Sequence, residues 1–318
     1  MDVTAWLCDG GAAIRYQTLR DLTGAPPAQL REARARISQE GLAAEILAKQ
    51  QPDGAWRQPS KPTWRCTLFT MQLLRLTGID PADSILRQAL DRAEANLHWN
   101  EHDGFWDLRS PQFGGNGFFD GEVEPCINGG VLAFGSYCGH PSERLARLLL
   151  SQQLADGGWN CEAPDNSSVS SYHTTICVLE GLLEFHKASG ASALAAESAG
   201  ARKRAEEYLL DRALFRRLST GEPADPKFLL YGFPPRYRYD VLRALDYFRA
   251  SGAKPDARMS SAVNVIEARR QPDGRWLLDD VYDDALTVST GEVLGAPSRW
   301  NTLRSLRVLR WLGERANG

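Results

Sequence analysis

Two residue types that hold soft metal ions fall in one short stretch, "LADGGWNCEAPDNSSVSSYHTT" at 154 to 175: the thiol of Cys161 and the imidazole of His173. A further thiol, Cys126, opens the segment "CINGGVLAFGSYCG". When "HTTI", "YDVL", "WNTL" and "CING" are laid over one another by their apolar pattern, Cys126 and His173 take the same position in consecutive repeats. If each opens a helix of a neighbouring pair, a thiol and an imidazole are presented at one level. Zn²⁺ accepts both donors in tetrahedral sites, and a cation so held brings a bound thiol or water to ionisation near neutral pH. Packing is the competing reading, since unoxidised cysteine is common in cores and a histidine at a helix start can satisfy a backbone carbonyl. Cys66, Cys138 and Cys177 lack such partners and read as packing.

The composition sets the kind of object that carries these residues. A chain of 318 residues, 43% hydrophobic and 24% charged, can bury a large core. A formal charge of -3 with dispersed Lys and Arg gives no basic field, so neither nucleic acid nor an anionic membrane is an expected partner. No segment approaches about 18 consecutive apolar residues, and "MDVTAWLCDGGAAIRYQTL" has no signal-peptide pattern, so a cytoplasmic protein without an integral membrane segment is expected. Six cysteines are too few for a secreted disulfide framework and read as free thiols or ligands.

The elements that must position the thiols follow from a repeat. Asp-Gly-x-Trp recurs in "QQPDGAW" (Trp56), "NEHDGFW" (Trp106), "QLADGGW" (Trp159) and "RQPDGRW" (Trp276), at steps of about 50 residues with one gap of about twice that. The missing copy is placed in "LSTGEPADPKFLLYGFPP" at 218 to 235. Helical apolar patterns close on Gly24, Gly78, Gly139, Gly190, Gly252 and Gly313, and Gly past a helix end is the usual left-handed stop. Between a stop and the next block runs a second amphipathic segment, such as "PSERLARLLLSQQL". Each unit is thus two helices and a Gly-rich loop, which cannot bury its apolar faces alone and must stack. The expected fold is all-α, a single domain over 1–318, an α/α toroid of about six helix pairs with the less charged helix of each pair inside.

Repeats with Gln and then Asp-Gly-x-Trp between paired helices resemble the α/α-toroid superfamily of terpenoid cyclases and protein prenyltransferase β subunits, over nearly the whole chain. The resemblance implies that the Gln bridges outer helices and that Trp is scaffold. It also implies a zinc site: a carboxylate two residues before a Cys, and a His following a Tyr. Here these are Glu124 and Cys126 in "EVEPCING", and His173 after Tyr172, with Cys161 as an additional or competing ligand. The implied chemistry is activation of a thiol or water toward an isoprenoid-like or other apolar small molecule, with a peptide substrate or protein partner as a further implication. The family's basic residues before the carboxylate are absent from "FGGNGFFDGEVEPC"; Arg65, Arg236 and Arg238 are the other cations offered.

Alternatives stay open. A class II terpene cyclase uses Asp-x-Asp-Asp as its acid, and "LLDDVYDDAL" (Asp279, Asp280, Asp283, Asp284) has a different spacing. Lanthionine cyclases carry adjacent Cys-His-Gly, whereas Cys138 and His140 are separated by Gly139. A noncatalytic toroid with structural zinc or no metal, binding a lipid or peptide, is the remaining class. Tyr16, Trp64, Tyr172, Tyr239 and Trp300, with Phe113, Phe118 and Phe119, could line an apolar cavity, where Tyr239 and Asp240 would offer polar, catalytic contacts.

Overall fold

The computed structural model describes residues 2–59, 61–99, 115–282 and 285–316. In chain order its helices are α1 (Val3–Cys8), α2 (Ala12–Thr18), α3 (Pro27–Ala35), α4 (Gly41–Ala48), α5 (Thr63–Thr77), α6 (Ser84–Asn96) and α7 (Pro125–Tyr137). They continue as α8 (Glu143–Ser151), α9 (Tyr172–Ser189), α10 (Ala193–Asp211), α11 (Val241–Ala250), α12 (Ser260–Ala268) and α13 (Arg299–Ala316). Among the described residues the only extended pairing is in isolated bridges, so the class is all-α, as expected. The chain divides into two compact units. One holds Met1–Ala43, Leu209–Asp283 and Ser289–Gly318; the other holds Ala44–Tyr208 and Asp284–Val288.

Alternation of neutral and amphipathic helices governs the second unit. α7, "PCINGGVLAFGSY", buries Pro125 and every residue from Ile127 to Ser136, so it has no solvent face. α8, which follows it, buries only Leu145, Ala146 and Leu149, the single stripe of a surface helix. α7 packs against α5 on one side and α9 on the other. The glycine stops behave as expected at Gly24 (φ 66°) and Gly78 (φ 77°), which close their helices in the left-handed region. Gly313 does not: α13 runs through it to Ala316.

Each described Asp-Gly-x-Trp block is a clasp. The indole N–H of Trp56, Trp159 and Trp276 donates to the carbonyl of Ile46, Leu149 and Ile266, on the preceding helix, at 2.7–2.8 Å. Their backbone N–H groups donate to the hydroxyls of Thr67, Thr175 and Thr302, on the following helix, at 3.0–3.1 Å. Burying each indole removes roughly 200 Å² from water, an upper contribution of ~5 kcal/mol. Gln50 and Gln153 reach forward, donating to Ala89 of α6 and Ala201 of α10 at 2.7 and 2.8 Å, the bridging that the family resemblance implies. The Gly in the block is required twice over. Gly54 and Gly157 have φ of 88° and 99°, and a Cβ there would lie 2.6 Å from backbone atoms of Ala93 and Arg204. Trp106 lies outside the described residues.

In the first unit, α13 packs on both α11 and α2. Arg307 of α13 donates to Asp246 of α11 and, at 2.9 Å, to Gln17 of α2, and pairs with Asp21 at 3.3 Å. Burial pushes the Asp246 carboxyl up, but Arg307, Arg249 and Arg304 more than offset it and hold it well below the usual carboxylate range. The fourth block, whose Gln50 position is taken by Arg270, leans on α1: a Cβ on Gly274 would meet Val3 at 3.0 Å.

Thr175→Val keeps the shape of the clasp but orphans the buried Trp159 N–H, so a loss of about 1–3 kcal/mol is expected in denaturant unfolding. An unchanged midpoint would remove the clasp from the stability of the fold. Because the Asp246 pKa is depressed, its contribution is complete above about pH 4 and is lost as pH falls toward the folded value. Asp246→Asn should therefore cost roughly 3–5 kcal/mol at neutral pH and flatten the acid limb of a pH-stability profile; parallel profiles would contradict this.

Candidate metal centre

α7 and α9 touch backbone to backbone. A Cβ on Gly129 would stand 2.5 Å from the Cys177 carbonyl oxygen, and one on Gly181 would stand 2.6 Å from that of Gly129. Two mid-helix glycines cost about 1 kcal/mol each in propensity, a smaller penalty than overlap with a neighbouring backbone. The close approach carries the first turns of both helices to one place, and the turn at 161–166 enters there from the Trp159 clasp.

Among the described residues, Glu124, Cys126 and Cys161 form the one set of three or more potential metal donors, their ligand atoms all within 4.8 Å of one another. All three are half-buried. Glu124 is the N-cap residue of α7 but its carboxylate caps nothing in the helix; instead the Cys126 thiol donates to Oε2 at 3.7 Å. Cys161 is held from α9, where the Thr174 hydroxyl donates to its Sγ and accepts from its backbone N–H, both at 3.4 Å. His173 is the neighbour of Thr174 and the second residue of α9, outside the three-donor set.

The two thiols are shifted in opposite directions. The neighbouring Cys126 thiol, reinforced by the Thr174 hydroxyl, lowers the Cys161 pKa despite burial. The neighbouring Cys161 sulfur and burial push Cys126 well above the ordinary thiol value. Burial raises the Glu124 carboxyl as well. Beneath it lies Glu122, fully buried, with Oε1 accepting from the Glu124 N–H at 2.6 Å and its carboxyl pushed by burial up to about 8. At neutral pH that group is a neutral acid. Asn128 clamps the Glu122 backbone from both sides, at 2.8 and 2.6 Å, the role the threonines play in the Trp clasps.

The donor chemistry fits zinc. A carboxylate oxygen and a thiolate, bound at about 2.1 and 2.3 Å to one tetrahedral ion, stand ~3.6 Å apart. Glu124 and Cys126 are already at 3.7 Å. Two sulfurs and one oxygen are also a set that magnesium or calcium would not select.

Other sequence candidates lie elsewhere. Tyr239 and Asp240 belong to the first unit and are buried. The Tyr239 hydroxyl donates to the Leu214 carbonyl. Asp240 is the N-cap of α11, accepting from the Arg243 N–H at 2.6 Å, and lies 3.8 Å from Arg304. Asp279 accepts from the Tyr231 N–H and pairs with Arg269 at 2.9 Å; Asp283 and Asp284, like Phe113, lie outside the described residues. The remaining aromatic candidates are packed rings: Phe118 stacks on Trp99 at 5.3 Å, Trp300 on Phe233 at 4.4 Å, and Tyr172 meets Tyr208 at 5.7 Å. Sequence reasoning missed Thr174, Glu122 and Asn128. A signal existed for Asn128 alone, the polar residue shared at the third position of "RCTL", "HTTI", "WNTL" and "CING".

No protein-family model matches the chain, and no curated protein matches its sequence. Among solved structures it is similar to the type II terpene cyclase MstE from Scytonema in complex with its substrate geranylgeranyl dihydroxybenzoate. The identity is 17%, over 98% of this chain and 87% of that one, with a TM-score of 0.44. No helix among the described residues is long and apolar enough to cross a membrane.

Thr174→Val removes the hydroxyl that stabilises Cys161 as thiolate. The pH midpoint for alkylation of Cys161 by iodoacetamide, followed by peptide mass spectrometry, should rise. An unshifted midpoint would mean that Thr174 only positions the turn.

Proposed function

We propose that this protein is a zinc-dependent enzyme in which Glu124, Cys126 and Cys161 hold the ion and a thiol or water attacks an isoprenoid-like or other apolar substrate. The meeting of three donor atoms from two separate segments within 4.8 Å carries this proposal. Zinc bound there would supply the positive charge that makes a thiol or water nucleophilic near neutral pH.

The chain's own residues divide the remaining work. Glu124 and Cys126 are set by the first turn of α7, and Cys161 is oriented by Thr174, an outer contact of the kind that fixes ligand direction. Glu122 stays protonated at neutral pH, so it orders the Glu124 backbone without adding a further negative charge. Three donors leave one tetrahedral position for the nucleophile, and their partial exposure gives solvent or substrate atoms access. α7 places no cation beside the donors, which favours an uncharged substrate body. His173 is the residue that decides between uses: as a fourth donor it would close the site into a structural centre.

Protein purified without a histidine tag and without chelator should contain about one zinc per chain by elemental mass spectrometry. Cys126→Ser and Cys161→Ser should lose it while keeping their helical circular dichroism. His173→Ala should keep it if the centre has three protein donors, and lose it if the zinc is structural. Metal-free wild-type protein of normal stability would end the zinc proposal. For zinc-loaded protein, isoprenoid diphosphates with small thiols are the first substrates to assay.

A further inference from the structure

We propose that Cys126 and Cys161 form a reversible disulfide under peroxide, so that this centre is a dithiol modification site as well as a metal site. The inference rests on the same three-donor cluster, because the two sulfurs concerned are two of its three donors. Their Sγ atoms lie within 4.8 Å of each other, and both residues are half-buried, so a small oxidant reaches them. Closing to a bond of about 2.05 Å needs one sulfur to move. The structure supplies an unequal pair for this. Cys126 is fixed in the first turn of α7, itself pinned through Gly129, whereas Cys161 stands in the turn at 161–166, outside any helix.

Of the other four cysteines, Cys66, Cys138 and Cys177 are at most 2% exposed and lie inside or at the end of helices, whereas Cys8 is half-buried like the pair but belongs to the first compact unit. Solvent-borne peroxide reaches Cys8, Cys126 and Cys161, and of these Cys126 and Cys161 stand together in one cluster. The Cys161 sulfur attacks one peroxide oxygen: an S–O bond forms, the O–O bond breaks, and the departing hydroxide takes the thiol proton as water. The Cys126 sulfur then attacks the Cys161 sulfur. The S–S bond forms, the S–O bond breaks, and hydroxide leaves with the second thiol proton as another water. Two electrons pass from the sulfurs to one peroxide, which becomes two waters. The linked pair leaves Glu124 as the single remaining donor of the three, so oxidation and metal retention exclude each other.

The test uses the full chain in two forms, stripped with chelator and loaded with zinc. Each is treated with hydrogen peroxide, blocked with iodoacetamide, digested and analysed by mass spectrometry. The stripped protein should yield a peptide linking Cys126 to Cys161, abolished by dithiothreitol, with Cys66, Cys138 and Cys177 still alkylated only after unfolding. Cys161→Ala should give no link while keeping the wild-type circular dichroism. In loaded protein, linkage and release of zinc to a chromogenic chelator should rise together. A stripped, folded protein whose Cys126 and Cys161 stay unlinked, become sulfinic acids or pair with another cysteine overturns the proposal. Linkage in a protein that never holds zinc supports the disulfide and separately defeats the metal reading.

Discussion

The contact between Gly129 and Gly181 is the constraint on which the candidate site depends. With no Cβ on either, α7 and α9 approach until backbone atoms meet, and their first turns follow. Cys126 begins one of these helices, and Thr174, which steers Cys161, begins the other. A side chain at either glycine would move the two helix starts apart by more than a metal-ligand bond tolerates. The donor set is therefore a product of helix packing before it is a product of donor chemistry.

Around that contact the Trp clasps do the complementary work of spacing. Each ties the end of one helix to the side of the next through a buried indole and a threonine hydroxyl, and the blocks of Trp56 and Trp159 add a forward-reaching glutamine. In the α7 repeat the clasp is rebuilt with Asn128 on Glu122. The same backbone groups are satisfied, but a carboxyl has been brought into the interior beside the thiols. Repetition thus supplies a rigid frame, and this departure from it is where ionisable groups gather.

Legibility in the sequence follows range. The Trp blocks, the paired helices and most glycine stops depend on residues a few positions apart and could be read directly. Gly313 misled because a glycine in a long, well-packed helix costs only about 1 kcal/mol and need not end it. Glu124, Cys126 and Cys161 were identifiable by type and by family resemblance. Their meeting at one site was implied by the resemblance alone, since it depends on a backbone approach between helices some 50 residues apart. His173 shows the same limit: matched position in the repeat puts it beside the site, while one residue of helical rotation, about 100°, separates it from Thr174, which touches Cys161. Tyr239 and Asp240 have the types expected of a polar site, yet their atoms are engaged by the Leu214 carbonyl and by the start of α11.

The seating of α13 against α2 bears on the order in which the molecule can be made. α2 is made early, yet its partner Arg307 is encoded far downstream, and Arg307 joins Gln17 of α2 and Asp21 to Asp246 of α11. Ala44–Tyr208, by contrast, is one uninterrupted stretch holding all of α5 to α9. During vectorial synthesis the middle of the chain can therefore consolidate while the amino-terminal helices wait, their apolar faces open until the final helix emerges.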